Sequence, residues 1–269
     1  MIDNLDDAPN RCIEPSLLSF RKSMIINQIK SLLAGFEYKG AYDLICANET
    51  MFTENLKMLL HHGYLRSLPH KNAEAVAKAL GQDIYKQLYP FSNRDLIEVI
   101  DYYRVAELRK KQNKLTDFIL RVTALAEHLI PVHVGKTLGS MEAIAHKRAN
   151  GGWMINTEKI QKQYPELLNY LQNEYRGQEL RISIGLAMLE HITNFFKIND
   201  GYAKLFAIRK LRNDSSHGLE SVTEADLAKV GTSSKELLKQ LNILIMKSHG
   251  IPAVPDIFGF VDSKVLEEL

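Results

Sequence analysis

One segment of this 269-residue chain combines side chains that could act on a phosphodiester bond. An arginine and a histidine, with four residues between them, follow a run of positive charge in Arg212-Asn213-Asp214-Ser215-Ser216-His217. Histidine titrates near neutrality and can accept and donate protons. Arginine stays charged and donates paired hydrogen bonds to phosphate oxygens. RNA cleavage would need proton transfer, because the 2′-hydroxyl must lose a proton and the leaving 5′-oxygen must gain one. It would also need cationic donors for the negative charge that builds up on the phosphate.

A second arginine–histidine pair shows that spacing alone is a weak signal. Arg121 and His128 have six residues between them and lie inside a helical apolar pattern. Their spacing places them two turns apart on the polar side of that helix, with no turn-forming residue between them. We therefore interpret this second pair as part of a solvated helix face.

The residues around Arg212 distinguish the first pair from the second. Nine residues up to Arg212 contain four cations and no acid: Lys204, Arg209, Lys210 and Arg212. Apolar residues recur at every third position: Tyr202, Leu205, Ile208 and Leu211. At ~100° per residue, Arg212 falls in line with this stripe and should point to the packed side of the helix. An arginine there predicts an interface or a site, with Lys204, Arg209 and Lys210 as candidate RNA-binding residues.

The four residues between Arg212 and His217 are all helix-cap or turn formers, which predicts a break in the helix there. On an unbroken helix the two positions would lie ~140° apart, whereas a cap or kink could bring the side chains together. The simpler alternative is a capped helix end with a surface arginine and a surface histidine, and the segment itself leaves both interpretations open.

Composition narrows the protein class. A formal charge of +2 is too small for a general nucleic-acid binder, so RNA contacts would have to be local. No apolar run is expected to span a bilayer, and the acidic, polar amino terminus is unlike a signal peptide. Cys12 and Cys46 are too few and too far apart for a disulfide scaffold or zinc site. We expect a reduced, cytoplasmic protein without metal, cofactor or membrane segment.

Helical periodicity dominates the chain and predicts an all-α protein. We expect a linker or tail over residues 1–15, a short helical connector domain over 16–92, and a helical bundle over 93–269. The predicted helices include Glu54 to Leu60, ending before His61-His62-Gly63; Leu115 to about Leu129, ending before Pro131; Glu179 to Phe196, buried; Glu224 to Val230, capped by Thr223; and Ser233 to Lys247, capped by Ser233 or Ser234. Pro252 and Pro255 are expected to lead into a C-terminal tail.

Three stretches together resemble HEPN nuclease domains, and more narrowly those of the type III-A CRISPR accessory ribonucleases. They are the sequence from Asp101 to Lys111, the buried helix near residue 184, and Leu211 through His217. The earlier stretch from Phe36 to Leu44 is similar to the helical connector that precedes HEPN in that family. The resemblance covers roughly residues 16 to 265.

The resemblance implies a metal-independent endoribonuclease that cleaves single-stranded RNA as a homodimer in type III CRISPR antiviral defence. In such families the two arginine–histidine motifs meet across the dimer axis. Carried over by position, Arg212 would bind and polarise phosphate, His217 would handle protons, and Asn213 would orient the site. If the 2′-hydroxyl is the nucleophile, one product would carry a 2′,3′-cyclic phosphate.

One departure from the family concerns its sensor. The family places a CARF domain, a parallel α/β fold that binds cyclic oligoadenylate, ahead of the connector, and this chain has no strand–glycine–helix pattern at its start. We expect a truncated protein, a sensor on a separate chain, or a sequence that starts partway through a longer protein. Two other functions stay open: a catalytically silent helical module that dimerises and binds RNA or protein, and a HEPN toxin paired with an antitoxin.

Overall fold

The computed structural model describes residues 17–149, 152–176, 180, 183–198, 202–217 and 221–269, and in the stretch 214–217 it describes the backbone only. The fold is all-α, as predicted, with one very small sheet among the described residues. The amino-terminal part contains five helices: α1 (Leu17–Ala34), α2 (Tyr38–Cys46), α3 (Glu54–Arg66), α4 (Ala73–Ala79) and α5 (Gln82–Leu88).

The middle of the chain contains the two longest helices of the bundle and the small sheet. The elements in order are α6 (Arg94–Lys111), α7 (Leu115–Leu138), β1 (Ala145–Lys147), β2 (Trp153–Ile155), α8 (Thr157–Gln163) and α9 (Pro165–Glu174). The strands are antiparallel, with His146 opposite Met154. The last part contains α10 (Leu186–Phe195), α11 (Ala203–Ala207), α12 (Arg209–His217), α13 (Glu224–Lys229), α14 (Ser234–His249) and α15 (Ile257–Glu268).

Helix α7 is the central element, since α6, α10, α12 and α14 all pack against it. The prediction that it ends before Pro131 is wrong, because the helix continues to Leu138 with the proline inside it. The residues beyond the proline hold it in place: Val134 and Gly135 are buried, and Gly135 fits closely against Met141. This packing offsets the hydrogen bond that proline cannot donate.

The length of α7 also bears on the expectation that no apolar run of this chain could span a bilayer. By length and composition the helix could cross a bilayer, but 56% of its apolar window is buried inside the protein. A mostly buried helix of this kind is typical of the core of a globular bundle, where other helices cover most of its surface.

Helix α3 does not end at Leu60 as predicted but continues through His61, His62 and Gly63. Gly63 allows the ring of Tyr38 to pack directly on the helix backbone. His62 is fully buried, and this burial lowers its pKa to about 3. It is therefore a neutral core histidine at physiological pH.

The expected C-terminal tail is helix α15. The Asp256 carboxylate caps it by accepting from the Gly259 N–H at 3.2 Å. The helix returns to pack against α3 and α5, and the Tyr38 hydroxyl donates to Asp262 Oδ1 at 2.8 Å. An element near the end of the chain thus closes the amino-terminal core, and the domain boundary near residue 92 stays a prediction.

The two predicted serine and threonine caps are confirmed. Thr223 Oγ1 accepts from the Asp226 N–H while Asp226 accepts from the Thr223 N–H, a reciprocal capping box at the start of α13. Ser233 caps α14 by accepting from the Glu236 N–H at 3.2 Å.

The buried helix predicted from Glu179 begins only at Leu186. Directly before it, Ser183 and Ile184 lie against β2, since the Ile184 N–H donates to the Trp153 carbonyl at 2.8 Å and Ser183 forms a bridge with Met154. From Leu186 onward the helix is buried as predicted, with Met188, Leu189 and Ile192 in the core.

Candidate functional site

The arginine–histidine segment lies in α12, which packs against the central helix α7. The break occurs before the segment, at Ile208 between α11 and α12, and the predicted break over residues 213–216 does not occur. Asparagine, aspartate and serine cost only up to ~0.7 kcal/mol each in a helix, so packing against α7 can outweigh their preference for turns.

The apolar stripe positions α12 as predicted. Tyr202, Leu205 and Ile208 are buried, and Leu211 packs half-buried against the same core. The Arg212 N–H donates to the Ile208 carbonyl at 2.9 Å, which continues the helical bonding into α12. The Arg212 side chain is half-buried, in agreement with a position near the packed side of the helix.

Asn213 lies next to Arg212 and holds its side chain. Arg212 Nη1 donates to Asn213 Oδ1 at 3.1 Å, and Asn213 itself is exposed. The backbone of His217 ends α12, whereas its imidazole lies outside the described residues, so its catalytic role stays a prediction. On this continuous helix, positions 212 and 217 are separated by ~140° around the axis and ~7.5 Å along it.

Arg212 and Asn213 open onto a cavity of about 180 Å³. Three elements contribute to it: α7, the start of α10, and α12. Its lining residues are Thr123, Glu127, Gly185, Leu186, Ala187, Arg209, Arg212 and Asn213.

The hydrogen-bond donors around this cavity favour an anion. Two guanidinium groups, those of Arg209 and Arg212, border it together with the amino-terminal end of α10. The first N–H groups of a ten-residue helix have no intrahelical partner and carry the positive end of its dipole. Glu127 adds one carboxylate to the lining. Because Glu190 also pairs with Arg209, the feature that favours an anion here is the cluster of hydrogen-bond donors and not an excess of positive charge.

The three candidate RNA-binding residues differ in their surroundings. Arg209 lines the cavity and also pairs with Glu190 through a 3.0 Å contact. Lys204 pairs with Glu236 on α14 at 2.7 Å, and Lys210 is exposed on the surface of α12. The structure thus brings Arg209, Arg212 and Asn213 together and leaves Lys204 and Lys210 outside that cavity.

Sequence reasoning missed the contributions of α7 and α10. Thr123, Glu127 and Gly185 are far from Arg212 in the chain, and no spacing rule connects them. Only the packing of α10 and α12 on the same side of α7 brings them to one cavity. Glu127 is one of several charged residues of α7, so no local signal in the sequence singled it out.

The second arginine–histidine pair is organised differently. His128 is exposed and contacts Asp95 at 3.1 Å, while Arg121 is half-buried beside the Tyr102 ring at 5.9 Å from its centroid. His128 thus lies on a solvated face as interpreted, but Arg121 is partly covered. Among the described residues, no group of three or more histidine, cysteine or acidic side chains is placed to hold a metal ion.

A helical bundle with an Arg-x4-His segment packed on its central helix is the arrangement expected of a HEPN domain. The sequence matches the Cas_Csm6 HEPN domain over residues 88–259 and the CRISPR-associated protein Csm6 6H domain over residues 15–67. The HEPN match spans well over half of the chain, so the chain belongs to the Csm6 family. The family resemblance seen in the sequence is therefore confirmed.

Two comparisons with individual proteins agree with this assignment. The CRISPR system endoribonuclease Csm6 of Enterococcus italicus is 22% identical over 231 residues, which cover 80% of this chain and 49% of that protein. A solved structure of Enterococcus italicus Csm6 bound to cyclic hexa-2′-fluoro-hexa-dAMP superposes with a TM-score of 0.72 at 17% identity, covering 98% of this chain and 61% of that one. The chain therefore spans about half the length of its curated relative, and the structural likeness concerns the fold.

Proposed function

We propose that this chain is a metal-independent endoribonuclease that cleaves single-stranded RNA at a composite site in a homodimer, in type III CRISPR antiviral defence. The observation that carries the proposal is the cavity formed by Arg209, Arg212 and Asn213 at the start of α10, on the helix that ends at His217. Such a cavity supplies donors for a phosphate, and the adjoining histidine position supplies a group that titrates near neutrality.

The proposed reaction is an in-line displacement at phosphorus. One His217 accepts the proton of the 2′-hydroxyl, and the 2′-oxygen forms a bond to phosphorus. The bond from phosphorus to the 5′-oxygen breaks, and the leaving oxygen receives a proton from the His217 of the second copy. Arg212 binds the non-bridging oxygens, on which negative charge accumulates. The products are a 2′,3′-cyclic phosphate and a free 5′-hydroxyl.

The helical geometry of α12 supports a site shared between two copies. Because positions 212 and 217 are ~140° apart on one unbroken helix, one chain presents its arginine and histidine positions in different directions. Two symmetric copies can instead place two arginines and two histidines around one phosphate. One histidine then serves as base and the other as acid on opposite sides of the in-line attack.

The first test measures cleavage of an end-labelled single-stranded RNA in EDTA. Cleavage should persist in the chelator, yield a 2′,3′-cyclic phosphate by mass spectrometry, and fall by at least ~100-fold in His217→Ala, as expected when a general acid–base group is lost. His146→Ala, which removes an exposed histidine of β1, is the matched control and should cleave normally. Unchanged cleavage in His217→Ala would reject the site, and loss in EDTA would reject metal independence.

The second test asks whether one site needs two copies. Wild-type chain is mixed with His217→Ala under conditions that allow subunit exchange, and the initial rate is measured against the wild-type fraction. A composite site predicts a rate that follows the square of that fraction, so an equal mixture retains about a quarter of the activity. A rate proportional to the fraction would show that each chain acts alone.

We also propose a cytoplasmic location for this chain. In addition, we propose that its activity is controlled by a CARF-type sensor of cyclic oligoadenylate, which lies on a separate chain or on a longer form of this one. The Enterococcus protein was solved with cyclic hexa-2′-fluoro-hexa-dAMP, which motivates the proposal. If this chain lacks the sensor, cyclic hexaadenylate should leave its cleavage rate unchanged. A stimulated rate would show that the chain itself binds the ligand.

A further inference from the structure

The open end of the β1–β2 hairpin carries two cations and no acid. Lys147 is the last residue of β1 and Arg148 follows it, and both are exposed. The Arg148 N–H donates to the Gly152 carbonyl at 2.7 Å, which holds the two sides of the hairpin together. From residue 143 to residue 157 the sequence contains no aspartate or glutamate. Lys147, Arg148 and Trp153 are here called the basic hairpin end.

The positive charge of the basic hairpin end is not neutralised within the described part of the chain. Arg66, Arg94 and Arg104 each contact a carboxylate within 3.0 Å. Arg148, in contrast, donates from Nη1 to the neutral Ser183 Oγ at 2.8 Å. Neither Arg148 nor Lys147 forms an ion pair with any residue that the structure describes. A guanidinium that is oriented by a neutral partner keeps its charge for an external anion.

The hairpin is bonded directly to the segment that enters the cavity beside α12. The Ile184 N–H donates to the Trp153 carbonyl at 2.8 Å, and the next residue, Gly185, lines that cavity. Ser183, which holds Arg148, is therefore two residues from the cavity, or at most ~7 Å of chain. A stacked nucleic-acid strand advances ~3.4 Å per nucleotide, so this distance corresponds to about two nucleotides.

An aromatic ring accompanies the two cations. Trp153, the single tryptophan of the chain, is opposite Lys147 in the hairpin register, so both side chains leave the sheet on the same face. The ring packs on the core but is only half-buried, which leaves part of it accessible. Proteins that bind single strands combine cations for the backbone with aromatic rings on which bases stack.

These features favour a single-stranded nucleic acid over an acidic protein as the ligand. The donors of the cavity suit a phosphate, and the basic hairpin end adds two more cations next to them. A strand with one phosphate at Arg212 can pass Gly185, which has no side chain, and reach Arg148. An acidic protein surface would have no use for the continuity with the cavity.

We propose that the basic hairpin end is a second RNA-binding site of the nuclease. Lys147 and Arg148 bind phosphates about two nucleotides away from the one that is cleaved, and Trp153 stacks on a base of that stretch. His146, which faces Met154 in the register, is not part of this contact. The inference rests on the proposed function for its consequence in catalysis, whereas RNA binding can be measured without cleavage.

The first test measures the Kd of a single-stranded 2′-O-methyl oligoribonucleotide, which has no free 2′-hydroxyl, over a series of salt concentrations. The double variant Lys147→Gln, Arg148→Gln should bind more weakly than the wild type. Its slope of log Kd against log salt should fall by about 1.4, because each phosphate contact on a single strand contributes ~0.7. An unchanged Kd and slope would overturn the proposal.

The matched control makes the same change of charge on α1, which packs on α2. Arg21 is exposed and, like Arg148, bonds a neutral side chain, since its Nη2 donates to Asn48 Oδ1 at 3.1 Å. The double variant Arg21→Gln, Lys30→Gln should therefore keep the wild-type Kd and slope. A fall of the slope equal to that of the hairpin variant would show an effect of net charge and reject the hairpin contact.

The emission of Trp153 reports where the oligonucleotide lies. Because no other tryptophan contributes, a saturating amount of the 2′-O-methyl oligonucleotide should quench the emission of the wild-type chain. Emission that stays constant while the oligonucleotide binds would place the strand elsewhere and reject the hairpin contact.

Cleavage of two substrates separates a binding contact from a structural defect. A dinucleotide contains the scissile phosphate alone and cannot reach the hairpin, whereas a longer single-stranded RNA can. The double variant Lys147→Gln, Arg148→Gln should lower kcat/KM on the longer RNA by the factor lost in binding and leave kcat/KM on the dinucleotide unchanged. An equal loss on both substrates would show a disturbed fold and overturn the assignment.

The two proposals fail in different ways. If His217→Ala abolishes cleavage while the hairpin variant binds like the wild type, the proposed nuclease site stands and the hairpin contact is rejected. If His217→Ala cleaves normally while the hairpin variant loses binding, the nuclease site is rejected and the RNA contact stands.

Discussion

At the scale of single residues, the cavity beside α12 combines firm anchoring with several hydrogen-bond donors. Arg209 is held by Glu190 at 3.0 Å, and Arg212 by Asn213 at 3.1 Å, so both guanidinium groups are oriented before any ligand arrives. Each guanidinium carries five N–H donors. Orientation in advance of binding lowers the entropy lost when a phosphate is bound.

The role of Asn213 can be tested through this contact. Asn213→Ala removes the acceptor that orients Arg212 and should lower kcat/KM on single-stranded RNA by about tenfold, the equivalent of one ordinary hydrogen bond. Asn213→Asp keeps an acceptor but adds a negative charge beside the phosphate, so its loss should be larger.

Asn173→Ala, which changes an exposed asparagine of α9, should retain the wild-type kcat/KM. Because Asn213 is exposed, the unfolding midpoint of the Asn213 variants should not change either. Equal kcat/KM in Asn213→Ala and wild type, with a large loss in Arg212→Ala, would show that Asn213 does not orient the arginine.

The sequence predicts residues of this site only where they are close in the chain. The stripe of Tyr202, Leu205 and Ile208 is buried as predicted, and Arg212 is partly buried beside it. Glu127 and the start of α10 could not be predicted, because their place in the cavity depends on how three helices pack.

At the scale of elements, local signals are correct where short-range bonds determine the outcome. Thr223 and Ser233 cap α13 and α14 because a hydroxyl within three residues satisfies a free N–H. Signals fail where tertiary packing opposes them. Pro131 does not end α7, since buried surface on either side outweighs the local cost. Pro252 and Pro255 precede helix α15 instead of a tail, because a proline ahead of the first turn does not oppose a helix.

Gly63 in α3 allows a test of such close packing. A β-carbon at Gly63 would lie 2.8 Å from Cδ1 of Tyr38, whose ring is stacked on Phe258 and bonded to Asp262. We expect Gly63→Ala to lower the free energy of unfolding by about 1–3 kcal/mol, because overpacking exceeds the gain of ~1 kcal/mol in helix propensity.

Gly40→Ala in α2 is the matched control, measured in the same urea titration. Its β-carbon would meet only the side chain of Leu32, at 3.2 Å or more, and that side chain is half-buried. We expect no loss of stability, or a small gain. A Gly63→Ala chain as stable as Gly40→Ala would show that Tyr38 can move away from α3.

At the scale of the whole molecule, the buried residues form one continuous core from α1 to α15. The family comparison matches two separate stretches, residues 15–67 and 88–259, but α15 begins near the end of the second stretch and packs on the first. Sequence periodicity indicates each helix separately and contains no information about this return of the chain. The two parts should therefore unfold together.

Arg104 provides the test of that cooperativity, because it fixes the segment that leads into α15. Its buried guanidinium donates to the Val254 carbonyl at 2.7 Å and to the Pro255 carbonyl at 2.6 Å. Arg104→Met would leave both carbonyls without these donors, at about 1–3 kcal/mol each. We expect the urea midpoint to fall equally by Trp153 fluorescence, which reports on β2, and by far-ultraviolet circular dichroism, which reports on all helices.

Arg94→Met removes an exposed arginine of the same helix and should shift the midpoint little. Two separate midpoints already in the wild-type chain would show that α15 does not join the two parts into one folding unit.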